Sequence, residues 1–201
     1  MTENPPASLI LASASPRRRE LLSQLGIVFD VRPADVDETP YPGESPESFV
    51  LRMAQEKARA GWEAQPPLQR LPVLGADTSV VLDGAIYGKP KDRAEGLAML
   101  AALSGRSHRV YSAVAWCRGD IDAVVNVSVV TFRKIDPWER AAYWATGEPA
   151  DKAGGYGIQG LGAVFVSRLE GSYSGVMGLP LFETAQLLVR NGMSVFRGPS
   201  V

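Results

Sequence analysis

Apolar positions along the chain alternate between short unbroken runs and longer stretches with helical spacing. The run over 8–12 predicts a buried strand, and residues 27–31 predict a second one. Between them, Ser15 followed by Pro16 is typical of a helix start, because serine caps free N–H groups and proline fits the first turn. Gly26 can end that helix.

The same alternation continues through the rest of the chain. Ser45–Pro46 and Asp136–Pro137 repeat the cap-and-proline start, Asp92 with Glu95 is close to a capping box, and Asp83–Gly84 is a hairpin signal. The alternation predicts an α/β fold, and the hairpins favour a mixed sheet over an all-parallel one. The remaining predicted elements are strands over 73–82, 109–117 and 124–132, a β-rich stretch over 163–169, and a helix over 180–190.

Composition narrows the class of protein. A length of 201 residues is enough for one domain over 1–201, or for two small lobes. The net charge of -1 argues against a surface that binds nucleic acid. The single cysteine, Cys117, excludes an intrachain disulfide and a cysteine-based zinc site, and its apolar neighbours predict a core position. Neither a signal peptide nor a membrane span is expected, so we expect a cytoplasmic protein without a membrane partner.

Three consecutive arginines open the first predicted helix. A helix N-terminus carries partial positive charge, so a cation such as Arg17 or Arg18 in the first turn is disfavoured by ~0.3–1 kcal/mol. A bound phosphate would compensate, because free N–H groups and guanidinium groups would converge on it. A solvated charge run beside Glu20 is the alternative. Arg19 is expected to face solvent.

Two charged residues interrupt apolar patterns. Lys57 lies on the apolar row of its predicted helix, where its ammonium either points into a cleft or snorkels to the surface. Asp77 interrupts an apolar strand, where a carboxylate is costly unless it is paired, metal-bound or protonated. We therefore favour a catalytic base or metal ligand over a strand-end aspartate in solvent. Lys89 follows the hairpin and returns near Asp77, although an exposed loop lysine is the simpler interpretation.

The roles of the other polar residues depend on what lies near them in the fold. Asp35, Asp37 and Glu38 form an acidic loop that serves solubility or, near phosphates, Mg²⁺ ligation. Gln159 lies in the glycine-dense stretch 151–162, which allows close backbone approach to a ligand. The only histidine, His108, is expected to be structural.

Taken together, these stretches resemble the Maf family of nucleoside triphosphate pyrophosphatases. The resemblance covers about residues 8–190 and implies an elongated mixed sheet flanked by helices, with two lobes and a deep cleft. The segments that carry it are LASASPRR (11–18), EKARAG (56–61), LGADTSVVLDG (74–84), GKP (88–90), LSGRSHRVYSAVA (103–115), DKAGGYGIQGLG (151–162) and GLPLFET (178–184).

The resemblance also implies an activity. It is the hydrolysis of a nucleoside triphosphate to the monophosphate and pyrophosphate with a divalent cation, Mg²⁺ or Mn²⁺. Asp77 would be the general base that activates water for attack on the α-phosphorus, and Glu38 and Asp77 would lie near the metal. The residues expected to hold the triphosphate are Ser13, Arg17, Arg18, Lys57 and Lys89.

Three positions separate the branches of the family. A branch that acts on 7-methyl-GTP has Trp, Gln and Glu where this chain has Arg17, Thr78 and Gln159. Methylated guanine is cationic, which suits a Trp face and a carboxylate. Uracil and thymine are uncharged, and Gln159 can accept from their N3–H and donate to a flanking carbonyl. The chain therefore resembles the branch that acts on dTTP and UTP.

Alternatives remain at this point. The base could be 7-methylguanine, or the physiological substrates could be modified pyrimidine triphosphates such as 5-methyl-UTP, removed in a house-cleaning role. A non-enzymatic regulator of septum formation or cell division is the alternative from another class, because the family name is tied to septum inhibition. A homodimer is compatible with the sequence.

Overall fold

The structure is a computed structural model that describes residues 7–195. Four short 3-10 turns connect the longer elements, at Pro67–Gln69, Glu148–Asp151, Ala153–Gly155 and Leu161–Phe165. The strands are β1 (Leu9–Leu11), β2 (Phe29–Val31), β3 (Val73–Leu82), β4 (Ala85–Tyr87), β5 (Ser107–Arg118), β6 (Asp120–Phe132) and β7 (Val166–Glu170). The helices are α1 (Pro16–Ser23), α2 (Pro46–Glu63), α3 (Arg93–Leu103), α4 (Pro137–Ala145), α5 (Tyr173–Met177) and α6 (Leu181–Arg190).

The strands of residues 7–195 form one seven-stranded mixed sheet. Its order is β2-β1-β3-β5-β6-β7, and β4 pairs with β3. β1 is parallel to both β2 and β3, whereas the remaining pairs are antiparallel. The predicted α/β class with a mixed sheet flanked by helices is confirmed.

Apolar cores lie at the two ends of the long central strands. At one end, Val80 and Leu82 of β3 pack with side chains of α3, α4 and the glycine-dense segment. At the other end, Leu74 and Ala76 of the same strand pack with α1 and α6, and α2 covers the opposite face, where Cys117 is buried. These two core regions correspond to the predicted lobes.

The sheet has a gap along one edge of β3. β1 pairs with β3 only as far as Leu74, and β4 pairs with it only from Val80 onward. In the part of the chain that the structure describes, the intervening stretch 75–79 has a strand partner on one side only, namely β5. Asp77 and Thr78 lie in this gap and, as successive strand residues, point to opposite faces of the sheet.

The capping signals place the helix starts correctly. Ser45 Oγ accepts the Ser48 N–H at 3.1 Å at the start of α2. Asp92 Oδ1 accepts the Glu95 N–H at 2.9 Å at the start of α3, although the Glu95 carboxylate accepts from Lys91 N rather than closing a full capping box. Local side-chain chemistry therefore fixes these starts.

The predicted β-rich stretch over 163–169 was wrong in its first part. A 3-10 turn occupies Leu161–Phe165, and β7 begins only at Val166. Phe165 is buried in the core, and its carbonyl accepts the Arg133 N–H at 2.8 Å. The short helix α5 was not predicted either, because a single turn capped by Ser172 has too few positions to show a helical period.

None of the helices described is long and apolar enough to cross a bilayer.

His108 is buried in the core, as predicted. Its Nε2 lies 2.8 Å from the Tyr156 hydroxyl, and its ring packs edge-on against Phe132. Its Nδ1 has no hydrogen-bond partner among the described residues. Burial lowers the pKa of His108 from 6.5 to about 4, so the native state holds the ring neutral at neutral pH.

This burial should make the fold sensitive to mild acid. Below pH 6.5 the unfolded chain takes up a proton at His108 that the native state does not, so the free energy of unfolding should fall as the pH decreases towards 4, by an amount on the order of 3 kcal/mol. Urea unfolding at several pH values, on wild type and on His108→Gln, measures this. The variant should lose stability less steeply over that interval. Equal slopes would contradict the prediction.

Candidate active site

A cleft of about 800 Å³ opens at the gap beside β3. Its walls come from both ends of the sheet: the β1–α1 connection and α2 on one side, and the loop after β4 with the glycine-dense segment on the other. Every predicted site residue lines it, namely Ser13, Arg17, Arg18, Glu38, Lys57, Asp77, Thr78, Lys89 and Gln159.

Lys57 and Asp77 form an ion pair inside the cleft. Lys57 Nζ lies 2.8 Å from Asp77 Oδ1 and 2.6 Å from Glu38 Oε1. Lys57 and Asp77 are 7% and 8% exposed, so of the alternatives the sequence left open, a snorkelling Lys57 and a solvent-facing Asp77 are both wrong. Burial acts against ionised Glu38, but the hydrogen bond and charge of Lys57, helped by Lys89, outweigh it and lower the pKa of Glu38.

Close packing of α2 on β3 brings this pair together. Gly75 lies under α2, and a Cβ built there would overlap the carbonyl oxygen of Ala54 and lie 2.6 Å from Ala58 N. Lys57 and Asp77 follow on the helix and strand that meet at this contact. A glycine in the strand thus sets how near the ammonium comes to the carboxylate.

Arg18 is held by neutral acceptors. Its Nε donates to Gly178 O at 2.8 Å, Nη1 to Ser13 Oγ at 3.2 Å and Nη2 to Thr78 Oγ1 at 3.3 Å. Burial lowers its pKa, which the negative charge of Asp77 partly opposes. Because no carboxylate of residues 7–195 contacts the guanidinium, a bound anion would be its direct counter-charge.

Arg17 bridges the mouth of the cleft. It lies with Arg18 in the first turn of α1, which contains no acidic residue. Its Nη1 is 3.2 Å from Asp151 Oδ2, so it links α1 to the glycine-dense segment across the opening. Arg19 and Glu20 are exposed, as expected for Arg19.

The far wall carries exposed polar groups. Lys89 and Gln159 are exposed and line the cleft, and Lys91 joins them although the sequence did not single it out. In the described chain neither lysine has an ion-pair partner. Of the acidic loop only Glu38 lines the cleft, because Asp37 caps a local turn through the Thr39 N–H at 2.9 Å.

Sequence reasoning also missed part of this wall. Asp151 and Lys152 line the cleft, and Lys152 Nζ donates to Asp151 Oδ1 at 2.7 Å and to Glu148 O at 2.6 Å. Both belong to the glycine-dense segment 151–162, in which the sequence analysis considered only the glycines and Gln159. The available signal was the charged pair that opens that segment.

A divalent cation fits two of these carboxylates. Glu38 and Asp77 both contact Lys57 Nζ, so their oxygens face one point in the cleft. Residues 7–195 contain no group of three His, Cys, Asp or Glu side chains that could hold a metal unaided. Mg²⁺ commonly uses one or two carboxylates and takes its other ligands from water and substrate phosphates. The donor set therefore suits a cation that arrives with its substrate.

A cleft that combines six cationic side chains with paired carboxylates at a gap in an α/β sheet is typical of a protein that binds phosphorylated ligands. The Maf-like protein family model matches residues 8–191, and the chain belongs to this family. A dTTP/UTP pyrophosphatase of Alkalilimnicola ehrlichii is 57% identical over 183 residues, which are 90% of this chain and 91% of that protein.

Two further relatives have the same name. The dTTP/UTP pyrophosphatase of Nitrosomonas europaea is 52% identical over 199 residues, covering 94% of this chain and 96% of that protein. That of Saccharophagus degradans is 54% identical over 185 residues, covering 90% and 88% respectively. The resemblance found in the sequence is confirmed.

Proposed function

We propose that this chain is a pyrophosphatase that hydrolyses dTTP and UTP to the monophosphate and pyrophosphate. The observation that carries the proposal is the convergence of Arg17, Arg18, Lys57 and Lys89 on one cleft that has Asp77 in its wall. The names of relatives that are more than half identical over nine-tenths of the chain support the nucleotide class.

The triphosphate binds to cations from both walls. Arg18, held by Ser13 and Gly178, offers the guanidinium that lacks a carboxylate partner, and the Ser13 hydroxyl belongs to the same phosphate site. Arg17 gives up its contact with Asp151 to reach the phosphates. Lys89 contacts them from the opposite wall. Fixed cations of this kind stabilise the charge that gathers on the phosphoryl group under attack.

Hydrolysis needs a water molecule and a base. Asp77 accepts a proton from water, which attacks the α-phosphorus, and the bond from that phosphorus to the oxygen bridging to the β-phosphate breaks. The products are the monophosphate and pyrophosphate. Lys57 keeps the Asp77 carboxylate oriented in the cleft through their 2.8 Å contact.

Glu38 and Asp77 would hold the divalent cation, Mg²⁺ or Mn²⁺. When bound, the cation neutralises phosphate charge and polarises the bond that breaks. Their shared contact with Lys57 Nζ supports this role, because it shows that both carboxylates reach one point in the cleft.

Selection of the base depends on Arg17, Thr78 and Gln159. Thr78 acts indirectly, because its Oγ1 contacts Ser112 Oγ at 3.0 Å and accepts from Arg18. Gln159 is exposed at the cleft, where its amide can pair with the uracil or thymine edge. Modified pyrimidine triphosphates share that edge, which supports a house-cleaning role. We further propose a single-domain cytoplasmic protein, compatible with a homodimer, that acts without a nucleic-acid or membrane partner.

A nucleotide panel tests the proposal. Pyrophosphate release from UTP, dTTP, 5-methyl-UTP, CTP, GTP and 7-methyl-GTP is measured with Mg²⁺ or Mn²⁺, on wild type and on Gln159→Glu. We expect wild type to prefer UTP and dTTP. We expect the variant to lose about 10-fold or more in kcat/KM for UTP, since a carboxylate cannot donate to the flanking carbonyl.

Other outcomes decide between the alternatives. A preference for 7-methyl-GTP would retain the chemistry and overturn the base assignment. Absence of turnover on every nucleotide would overturn the enzyme and favour a septum or cell-division regulator that acts by binding.

A further inference from the structure

The carboxylate of Glu148 does not line the cleft but organises the loop that carries Gln159. Its Oε2 accepts the Leu161 N–H at 2.8 Å, and its Oε1 accepts the Gly162 N–H at 3.1 Å. Oε1 also accepts the Tyr143 hydroxyl at 2.6 Å. One side chain therefore fixes the backbone that follows Gln159.

Tyr143 fixes the backbone that precedes Gln159. Its hydroxyl oxygen accepts the Gly157 N–H at 3.0 Å, and the Gly160 N–H donates to Gly157 O at 3.2 Å, which closes a turn around Gln159. Tyr143 is buried, so this anchor is part of the core. The Gln159 side chain itself is exposed, so its direction depends on the turn beneath it.

Three glycines of this segment leave the space that the Glu148 and Tyr143 side chains occupy. A Cβ on Gly160 would overlap the Glu148 carboxylate, and one on Gly162 would lie 2.6 Å from the Tyr143 hydroxyl. A Cβ on Gly157 would lie 3.1 Å from Glu148 Oε1. The glycine-dense sequence predicts close approach of a ligand; in the structure Gly160 and Gly162 lie against Glu148 and Tyr143, and Gly157 lies against Lys152 and Glu148.

The protonation states of Tyr143 and Glu148 suit their hydrogen bonds. Burial raises the pKa of Tyr143, and its hydrogen bond to Glu148 raises it further, so the phenol stays protonated and donates. Burial also acts to raise the pKa of Glu148, but donors from Tyr143 and the two loop amides outweigh it and lower that pKa. Only a carboxylate has acceptor oxygens for all three donors, because a glutamine offers a single acceptor oxygen.

We propose that Glu148 and Tyr143 are positioning residues for base selection, which set where the Gln159 amide meets the pyrimidine. This inference rests on the proposed function. The phosphate-binding side chains Arg18 and Lys57 lie on α1 and α2, outside this hydrogen-bonded set. Disturbing Glu148 should therefore change the choice of base far more than the chemistry.

A comparison of UTP with CTP measures base selection, because the two nucleotides have the same sugar and triphosphate and differ only in the base. Uracil presents N3–H and a 4-carbonyl, where cytosine presents a bare N3 and a 4-amino group. A misplaced hydrogen-bonding group loses discrimination, so the ratio of kcat/KM for UTP to that for CTP should fall about 10-fold in Glu148→Gln and in Tyr143→Phe. The kcat for CTP should stay within about 3-fold of wild type, since phosphate contacts are unchanged.

A double-mutant cycle separates positioning from general loosening. Gln159→Ala should lower the same ratio, and Glu148→Gln combined with Gln159→Ala should lower it no further than Gln159→Ala alone, because both act through one amide. Glu139→Gln is the matched control. Glu139 lies on α4, the helix that also carries Tyr143; its carboxylate accepts the Asp136 N–H at 2.9 Å and pairs with Arg133, which precedes the helix, and it makes no hydrogen bond to the loop.

The outcomes are distinct. An unchanged UTP:CTP ratio in a folded Glu148→Gln or Tyr143→Phe would overturn the proposal, and so would an additive double mutant or equal losses for both nucleotides. If both variants lowered the ratio and the cycle were non-additive, the positioning role would stand. A wild-type chain that failed to hydrolyse UTP would overturn the proposed function, and this inference with it.

Discussion

Replacing Asp77 with asparagine should lower kcat for pyrophosphate release from UTP by about 10²–10⁴-fold, the usual contribution of a positioned general base. Asparagine keeps the size of the side chain and its place in β3 but cannot take a proton from water. Lys57 would retain Glu38 at 2.6 Å as a partner, so the ammonium is not left unpaired. Steady-state kinetics with saturating Mg²⁺ and thermal melting of the same preparation check both expectations.

Asp83→Asn is the matched control for this variant. Asp83 is the first residue of the turn that joins the same strand to β4, is exposed, and pairs with Arg106 at 2.8 Å, away from the cleft. Its φ of 51° lies in the left-handed region that asparagine tolerates, so folding and rate should both be retained. Unchanged turnover in Asp77→Asn would remove the base assignment. A collapse of its melting temperature would instead make Asp77 a structural residue.

Much of this site could be predicted because its residues break local patterns. Asp77 interrupts an apolar strand, Lys57 interrupts an apolar helix row, and Arg18 occupies a helix start where a cation is disfavoured. Each local conflict requires a partner, and the structure brings all three to one cleft. The chain order of elements and the mixed sheet followed in the same way from capping, periodicity and hairpin signals.

Contacts between distant segments could not be predicted in this way. Asp151, which pairs with Arg17, and Glu148, which accepts three donors, lie in local sequence that contains no conflict. Glu148 follows a helix end, where an acidic residue is unremarkable by pattern. The 3-10 turn over Leu161–Phe165 depends on that carboxylate, so apolar composition alone suggested a strand there.

The contact between α2 and β3 should be the least tolerant of added volume. In Gly75→Ala, the new methyl group would overlap the carbonyl oxygen of Ala54 and lie 2.6 Å from Ala58 N. Both are helix backbone atoms, which cannot rotate away as a side chain can. We expect the free energy of unfolding to fall by about 3 kcal/mol, the upper part of the usual range for overpacking, as measured by urea unfolding.

The loss should extend to activity, because α2 carries Lys57 and β3 carries Asp77. Pushing the helix outward lengthens their 2.8 Å contact, so folded Gly75→Ala should also lose kcat/KM for UTP. Gly61→Ala tests the same interface where the neighbours are side chains, with Val73 Cγ1 at 3.0 Å and Ala12 Cβ at 3.3 Å. Small side-chain shifts and the better helix propensity of alanine should keep that variant within about 1 kcal/mol of wild type. Equal stability of the two variants would mean that backbone contact at Gly75 does not set the distance between the ammonium and the carboxylate.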